Sequence, residues 1–65
     1  MFVFVNGKIH PLAKIKTLAE LLRSLSLSPP FAVARNEEVV SRGNYEECGI
    51  RPGDRIEIVH PTAGG

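Results

Sequence analysis

The sequence lacks several features from which a function is often read. It has a single cysteine, Cys48, so no internal disulfide can form. A small chain without disulfides suits a reducing compartment. No apolar run approaches the roughly 20 residues that a membrane span needs. Residues 1–5 are too short for the apolar core of a signal peptide, and Asn6-Gly7 interrupts them. There is no excess of either charge: formal net charge is +1, with acidic and basic residues interspersed. That argues against nucleic acid or an acidic membrane surface as the main partner. The expectation is a soluble cytoplasmic domain. Its two histidines, His10 and His60, have no ligand spacing to each other or to Cys48, so no metal site is expected. Ser24, Ser26 and Ser28 have no His/Asp partners in view, which excludes a hydrolase reading. Internal repeats, linkers and low-complexity segments are also absent.

What is present fits one small domain. The chain has 65 residues, and a domain of that size buries only about 60% of the surface its unfolded chain exposes. Phe2–Val5 is a run of β-favouring residues that stops at Asn6-Gly7. Asn-Gly between two such runs marks a hairpin, because a type I′ turn needs φ > 0 at both central residues. Lys8–Leu12 is then the return strand, and Pro11, which has no N–H, confines it to a sheet edge. Thr17-Leu18-Ala19-Glu20 has capping-box spacing. Leu18, Leu21, Leu22 and Leu25 follow at i, i+3, i+4 and i+7, one face of a helix. Ser28-Pro29-Pro30 is expected to end it. Phe31–Arg35 is a further strand, Asn36-Glu37-Glu38 a turn, and Val39-Val40 a brief strand. Ser41–Ile50 is polar and irregular, with one helical turn near Tyr45. Pro52-Gly53 suits the central positions of a type II turn. Arg55–His60 is the last strand, with Ile56 and Ile58 on one face and Glu57 and Val59 on the other.

The order β-β-α-β-β-β predicts an α+β fold: a mixed sheet of about five strands with one helix packed across one face. The helix must cover the sheet to bury its leucines. Val3, Val5, Val33, Val40, Ile56 and Ile58 are expected to meet Leu18, Leu21, Leu22 and Leu25. This is the layout of a β-grasp, or ubiquitin-like, fold, in which the first and last strands lie parallel at the centre of the sheet. Residues 1–61 form the domain, and 62–65 are expected as a flexible C-terminal tail.

That tail is Thr62-Ala63-Gly64-Gly65. Two glycines can pass through a channel too narrow for side chains and can take conformations closed to other residues. With Gly65 last, the reactive group on offer is its own carboxylate. At roughly 3.3–3.6 Å per residue, Thr62–Gly65 extended reaches about 14 Å, enough to place Gly65 in a buried site while the body stays outside.

Taken together, these pieces resemble the ThiS family, the sulfur carriers of thiamine (thiazole) biosynthesis within the ThiS/MoaD superfamily. The resemblance spans essentially the whole chain. It rests on Asn6-Gly7 after the first strand, Thr17-Leu18 with Leu21-Leu22 on the helix, and Ala32-Val33-Ala34 with Asn36. It continues through Val40, Arg42, Gly53-Asp54 and Ile56-Glu57-Ile58-Val59 to Ala63-Gly64-Gly65. It implies a protein that catalyses nothing and acts as a co-substrate. A ThiF-type activating enzyme, using ATP and magnesium, would adenylate the Gly65 carboxylate. Sulfur from a persulfide would then displace AMP and leave a thiocarboxylate, and a ThiG-type thiazole synthase would accept that sulfur. No tightly bound cofactor is expected, and the free carrier is expected to be a monomer.

A terminal carboxyl with a pKa of about 3.3–3.7 is ionised at neutral pH and able to attack phosphorus. A bulky residue at Gly64 or Gly65 would crowd that attack. The carrier must also dock on more than one enzyme. If Val3 and Val5 face the helix, then Phe2, Phe4, Ala32, Ala34 and Val59 share the outer sheet face. That face is the expected docking surface, and it is expected to lie beside the tail. Cys48 reads as a half-buried loop cysteine, since nothing adjacent except Arg51 would lower its pKa. His60 reads equally as a partner contact or a solvated side chain. Arg35, Arg42, Arg51 and Arg55 read as solvated charges or weak surface pairs, and Asp54 as a residue fixing the turn before the last strand. Two other readings stay open. One is a carrier of another branch: the molybdopterin synthase small subunit, tRNA thiolation or protein conjugation. The other is a ubiquitin-like interaction module whose glycines do nothing.

Overall fold

The hairpin predicted at the start of the chain is present in the computed structural model, which describes residues 1–61. The expectation of a flexible tail over Thr62–Gly65 falls outside the described residues. Strand β1 (Phe2–Val5) pairs antiparallel with β2 (Lys8–Pro11) in the register Val5↔Lys8, so the loop is Asn6-Gly7 alone. Both loop residues have positive φ, 51° and 82°, as a type I′ turn requires. Helix α1 (Leu18–Ser24) follows, then β3 (Ala32–Arg35), β4 (Glu38–Val40), a 3₁₀ turn (Arg42–Asn44) and β5 (Arg55–Val59).

The five strands form one sheet in the order β2-β1-β5-β3-β4. β5 is central and runs parallel to β1, while β3 flanks it antiparallel. Pro11 lies on an edge strand, where its missing N–H costs no ladder bond. The same topology appears in the β-grasp fold that the sequence predicts.

Helix α1 starts at a capping box. The Thr17 hydroxyl accepts from the Glu20 amide at 3.2 Å, and Glu20 Oε1 accepts from the Thr17 amide at 3.1 Å. Leu18 and Leu21 are fully buried and Leu22 nearly so. They pack on Val3, Val33, Ile56 and Ile58 from the sheet. Each such aliphatic side chain contributes about 1.5–3 kcal/mol by leaving water. Val5, Val40 and Leu25 are only partly buried against this core.

The structure corrects five details. Strand β3 begins at Ala32, not Phe31, and β5 ends at Val59, not His60, because Ala32↔Val59 is the last pair of their ladder. The helix ends at Ser24, not at Ser28-Pro29-Pro30, because Leu25 caps it and Ser26 turns left-handed at φ 52°. The return strand stops at Pro11. The next residue, Leu12, turns inward and is buried, and Ala13 has φ 48°. The turn between β3 and β4 is the two-residue loop Asn36-Glu37, at φ 50° and 72°, and Glu38 already belongs to β4. Ile50 and Ala19 also join the buried set, although neither was expected there. Among the described residues no helix is long and apolar enough to cross a membrane.

Candidate functional site

The chain leaves the sheet at the end of β5, which leads to the segment expected as a reactive tail. The parallel ladder between β1 and β5 runs through the Phe4 amide to the Asp54 carbonyl and the Asn6 amide to the Ile56 carbonyl, both at 2.9 Å. There β1 turns away, and the next backbone groups of β5, those of Ile58, have no strand partner on that side. The Asn6 side chain takes the place of the missing peptide. Its Oδ1 accepts from the Ile58 amide at 2.8 Å, and its Nδ2 donates to the Ile58 carbonyl at 3.2 Å. On the other side β3 holds β5 through Ala32↔Val59. The next residue, His60, lies edge-on to Phe31, with ring centroids 6.0 Å apart. Phe31 in turn stacks on Tyr45.

The start of β5 is held by a polar cluster around Asp54. This carboxylate accepts from the Arg51 amide at 2.9 Å, from Arg35 Nε at 3.1 Å and from Asn36 Nδ2 at 3.2 Å. Asn36 Oδ1 then accepts from the Arg55 amide. Burial alone would raise the Asp54 pKa. The three donors outweigh it and hold the carboxyl below the ordinary aspartate range. The hydrogen bond to Asp54 correspondingly raises the Arg35 guanidinium. Pro52-Gly53 forms the adjoining turn, with Gly53 at φ 86° and an Asp54 amide bond to the Arg51 carbonyl. Asp54 therefore fixes the turn before the last strand, as expected, and Arg35 is paired with it. At the helix start, the Lys16 and Thr17 amides hold Glu20 below the usual glutamate range.

Phe2 and Phe4 face away from the helix and meet edge to face at 5.4 Å. Strand alternation and register put Ala32, Ala34 and Val59 on the same outer face. The structure adds Ile9, which pairs with Phe4, and Val39, which pairs with Ala34; both are well exposed. Alternation along the two edge strands carries this signal in the sequence.

Whether the patch lies beside the tail falls outside the described residues, but its members do not all lie at the end of β5. Ala32 and Val59 sit where β5 ends. Phe4 is level with Arg55, four residues upstream of Val59, and at about 3.3 Å per residue that is about 13 Å away. Phe2 lies further off still. Arg55 and Glu57, on the same face, separate the two apolar ends. The parallel pairing of β1 with β5 is the cause, because it places the start of β1 beside the start of β5.

Thr62, Ala63, Gly64 and Gly65 lie outside the described residues. Cys48 is free and half-buried. His10 lies on β2, and among the described residues no three potential metal ligands come together. Asn6 and His60 are the positions whose structural roles the sequence did not reveal. Asn6 reads as a turn residue, and nothing local announces a partner 52 positions away.

Comparison with known proteins agrees with this geometry. The model of the ThiS family matches residues 3–65. Over 66 aligned residues the whole chain is 41% identical to a thiazole synthase of Magnetococcus marinus and 33% identical to one of Paramagnetospirillum magneticum. It spans about a fifth of the length of each, 20% in both cases. The crystal structure of the thiamine biosynthesis protein ThiS from Geobacter metallireducens superposes with a TM-score of 0.83 at 28% identity, both chains being covered in full. The solution structure of a thiamine biosynthesis protein from the same organism gives 0.78, also at 28% identity, covering all of this chain and 88% of the other.

Proposed function

The chain belongs to the ThiS family, and from that we propose that it is a sulfur carrier for the thiazole moiety of thiamine, presenting the Gly65 carboxyl to partner enzymes. The observation that carries this reading is the family match, which runs through the whole β-grasp body and on to Gly65 itself. The thiazole synthases that contain a similar domain support the thiamine branch over the molybdopterin or tRNA branches.

The chemistry follows from the carboxylate. In the site of a ThiF-type enzyme, with ATP and magnesium, the Gly65 carboxylate attacks the α-phosphorus and pyrophosphate leaves. The acyl adenylate makes the carbonyl electrophilic. The terminal sulfur of a persulfide displaces AMP, and a thiol then cleaves the S–S bond to release a thiocarboxylate. A thiazole synthase takes that sulfur, and the carboxylate is restored. The carrier is a co-substrate throughout and contributes no catalytic side chain. Gly64 and Gly65 keep the approach to the nucleotide free of side chains, with Thr62 and Ala63 as small spacers. The mechanism requires a free carboxyl on Gly65.

Docking is assigned to the outer sheet face, through Phe2, Phe4, Ala32, Ala34 and Val59. The exposed Phe2, the half-buried Phe4 beside it and the exposed Val59 form an uncovered apolar surface.

The test is reconstitution with an activating enzyme, ATP, magnesium, a persulfide donor and a reducing thiol, scoring pyrophosphate release and the intact mass of the product. Wild type should gain the mass difference of one sulfur for one oxygen. Gly64→Val, or one residue appended after Gly65, should abolish turnover and leave the melting curve unchanged. Normal turnover of either variant would refute the terminal-carboxylate mechanism.

A further inference from the structure

Beyond Val59 the strand ladder can give the chain no further hold. Pro61 has no N–H to donate, and β5 has already made its last pair with β3 at Ala32↔Val59. The next contact belongs to a side chain. His60 continues the inward phase of Ile56 and Ile58, on the helix side of the sheet, and its ring meets the edge of Phe31 at a centroid distance of 6.0 Å and 62°. Phe31 precedes β3 and stacks nearly parallel on Tyr45, at 6.4 Å and 10°. Tyr45 is fixed by its backbone: its carbonyl accepts from the Ala19 amide at 3.0 Å in the first turn of α1. A continuous row of three rings thus runs from the buried helix to the last residue before Pro61.

We propose that Tyr45, Phe31 and His60 form an aromatic brace that fixes the direction in which the chain leaves the sheet at Pro61. His60 and Phe31 are then positioning residues for delivery of the Gly65 carboxyl. The inference rests on the carrier reading above. The physical reason is entropic. Fixing the backbone of one residue costs about 1–2 kcal/mol. A carrier whose tail root is already held does not have to meet that cost in the partner's site, where it would raise the barrier to attack on phosphorus. The brace lies on the helix side and leaves the outer sheet face free for docking. It should therefore act on turnover and not on partner affinity.

The experiment compares wild type, His60→Ala, Phe31→Leu and His60→Phe. Pyrophosphate release is measured with an activating enzyme, and partner affinity by titration, at a temperature where circular dichroism shows every variant folded. His60→Ala and Phe31→Leu should lower kcat roughly two- to tenfold, the range that aromatic pair energies allow, with KM and partner affinity unchanged. His60→Phe keeps a ring against Phe31 and should restore most of the rate. If folded His60→Ala turns over like wild type, or if His60→Phe fails to rescue, the brace has no positioning role. A loss seen in KM alone also overturns it, since that would mean a docking contact. Wild-type turnover is read separately: its absence overturns the carrier reading, and the brace's purpose with it.

Discussion

Replacing Asn6 should show how much the domain depends on a side chain that extends its central ladder. Asn6 satisfies both backbone groups of Ile58, which is 8% exposed, through bonds of 2.8 and 3.2 Å. Each such bond has a net value of about 0.5–1.5 kcal/mol, so losing both costs about 1–3 kcal/mol. Asn6 also sits at φ 51°. Glycine adopts that conformation readily, whereas alanine incurs about 1–2 kcal/mol there. Asn6→Gly therefore isolates the bridge and should cost about 1–2 kcal/mol, because easier turn geometry returns part of the loss. Asn6→Ala adds the backbone strain and should cost about 2–4 kcal/mol.

A domain of 65 residues has only about 3–10 kcal/mol of stability in total, at about 0.05–0.15 kcal/mol per residue. Asn6→Gly should therefore lower the melting temperature by about 5–15 °C. Urea denaturation followed by circular dichroism gives the free energies. Amide exchange locates the loss: protection at Ile58 should fall more than protection at Val33 or Leu21. If Asn6→Gly is as stable as wild type, the bridge contributes nothing. If Asn6→Ala and Asn6→Gly are equal, the turn conformation carries no cost.

Other changes test other parts of the molecule. Asp54 is held below its unfolded pKa, so its contribution to stability is complete above about pH 4 and is lost as pH falls through the folded value. Asp54→Asn should flatten that acid limb in pH-dependent melts, and an unchanged limb would exclude Asp54 as its source. Glu37→Gly, at φ 72° in the β3–β4 turn, should stabilise the domain by about 0.5–1 kcal/mol in urea denaturation, because glycine has no Cβ to strain; a destabilised variant would contradict this. Phe4→Glu should weaken binding of the activating enzyme or thiazole synthase without lowering the melting temperature by more than a few degrees. Unchanged binding by titration would remove the aromatic end of the sheet face from the docking surface.

Much of the fold was legible because its signals are local. Asn6-Gly7 specifies a turn whatever surrounds it. Thr17 and Glu20 cap a helix from three residues apart, and the alternation of Ile56 and Ile58 sets which face of β5 is inward. The β-grasp layout followed from the order of these elements and the need to bury the leucine stripe.

What local signals could not carry was decided by pairing distant segments. Leu12 and Ile50 lie in stretches without periodicity, and they become core only because the loops holding them fold over the helix side. The outer face read as one continuous patch, whereas the parallel register of β1 with β5 puts Phe2 and Phe4 at the end of the sheet opposite Val59 and sets Arg55 and Glu57 between. From the sequence by itself came the elements, their order, the buried leucine stripe and the family, all encoded in neighbours a few residues apart. Only the tertiary structure made Asn6 a backbone substitute and set His60 against Phe31, because those contacts exist only once β5 lies between β1 and β3.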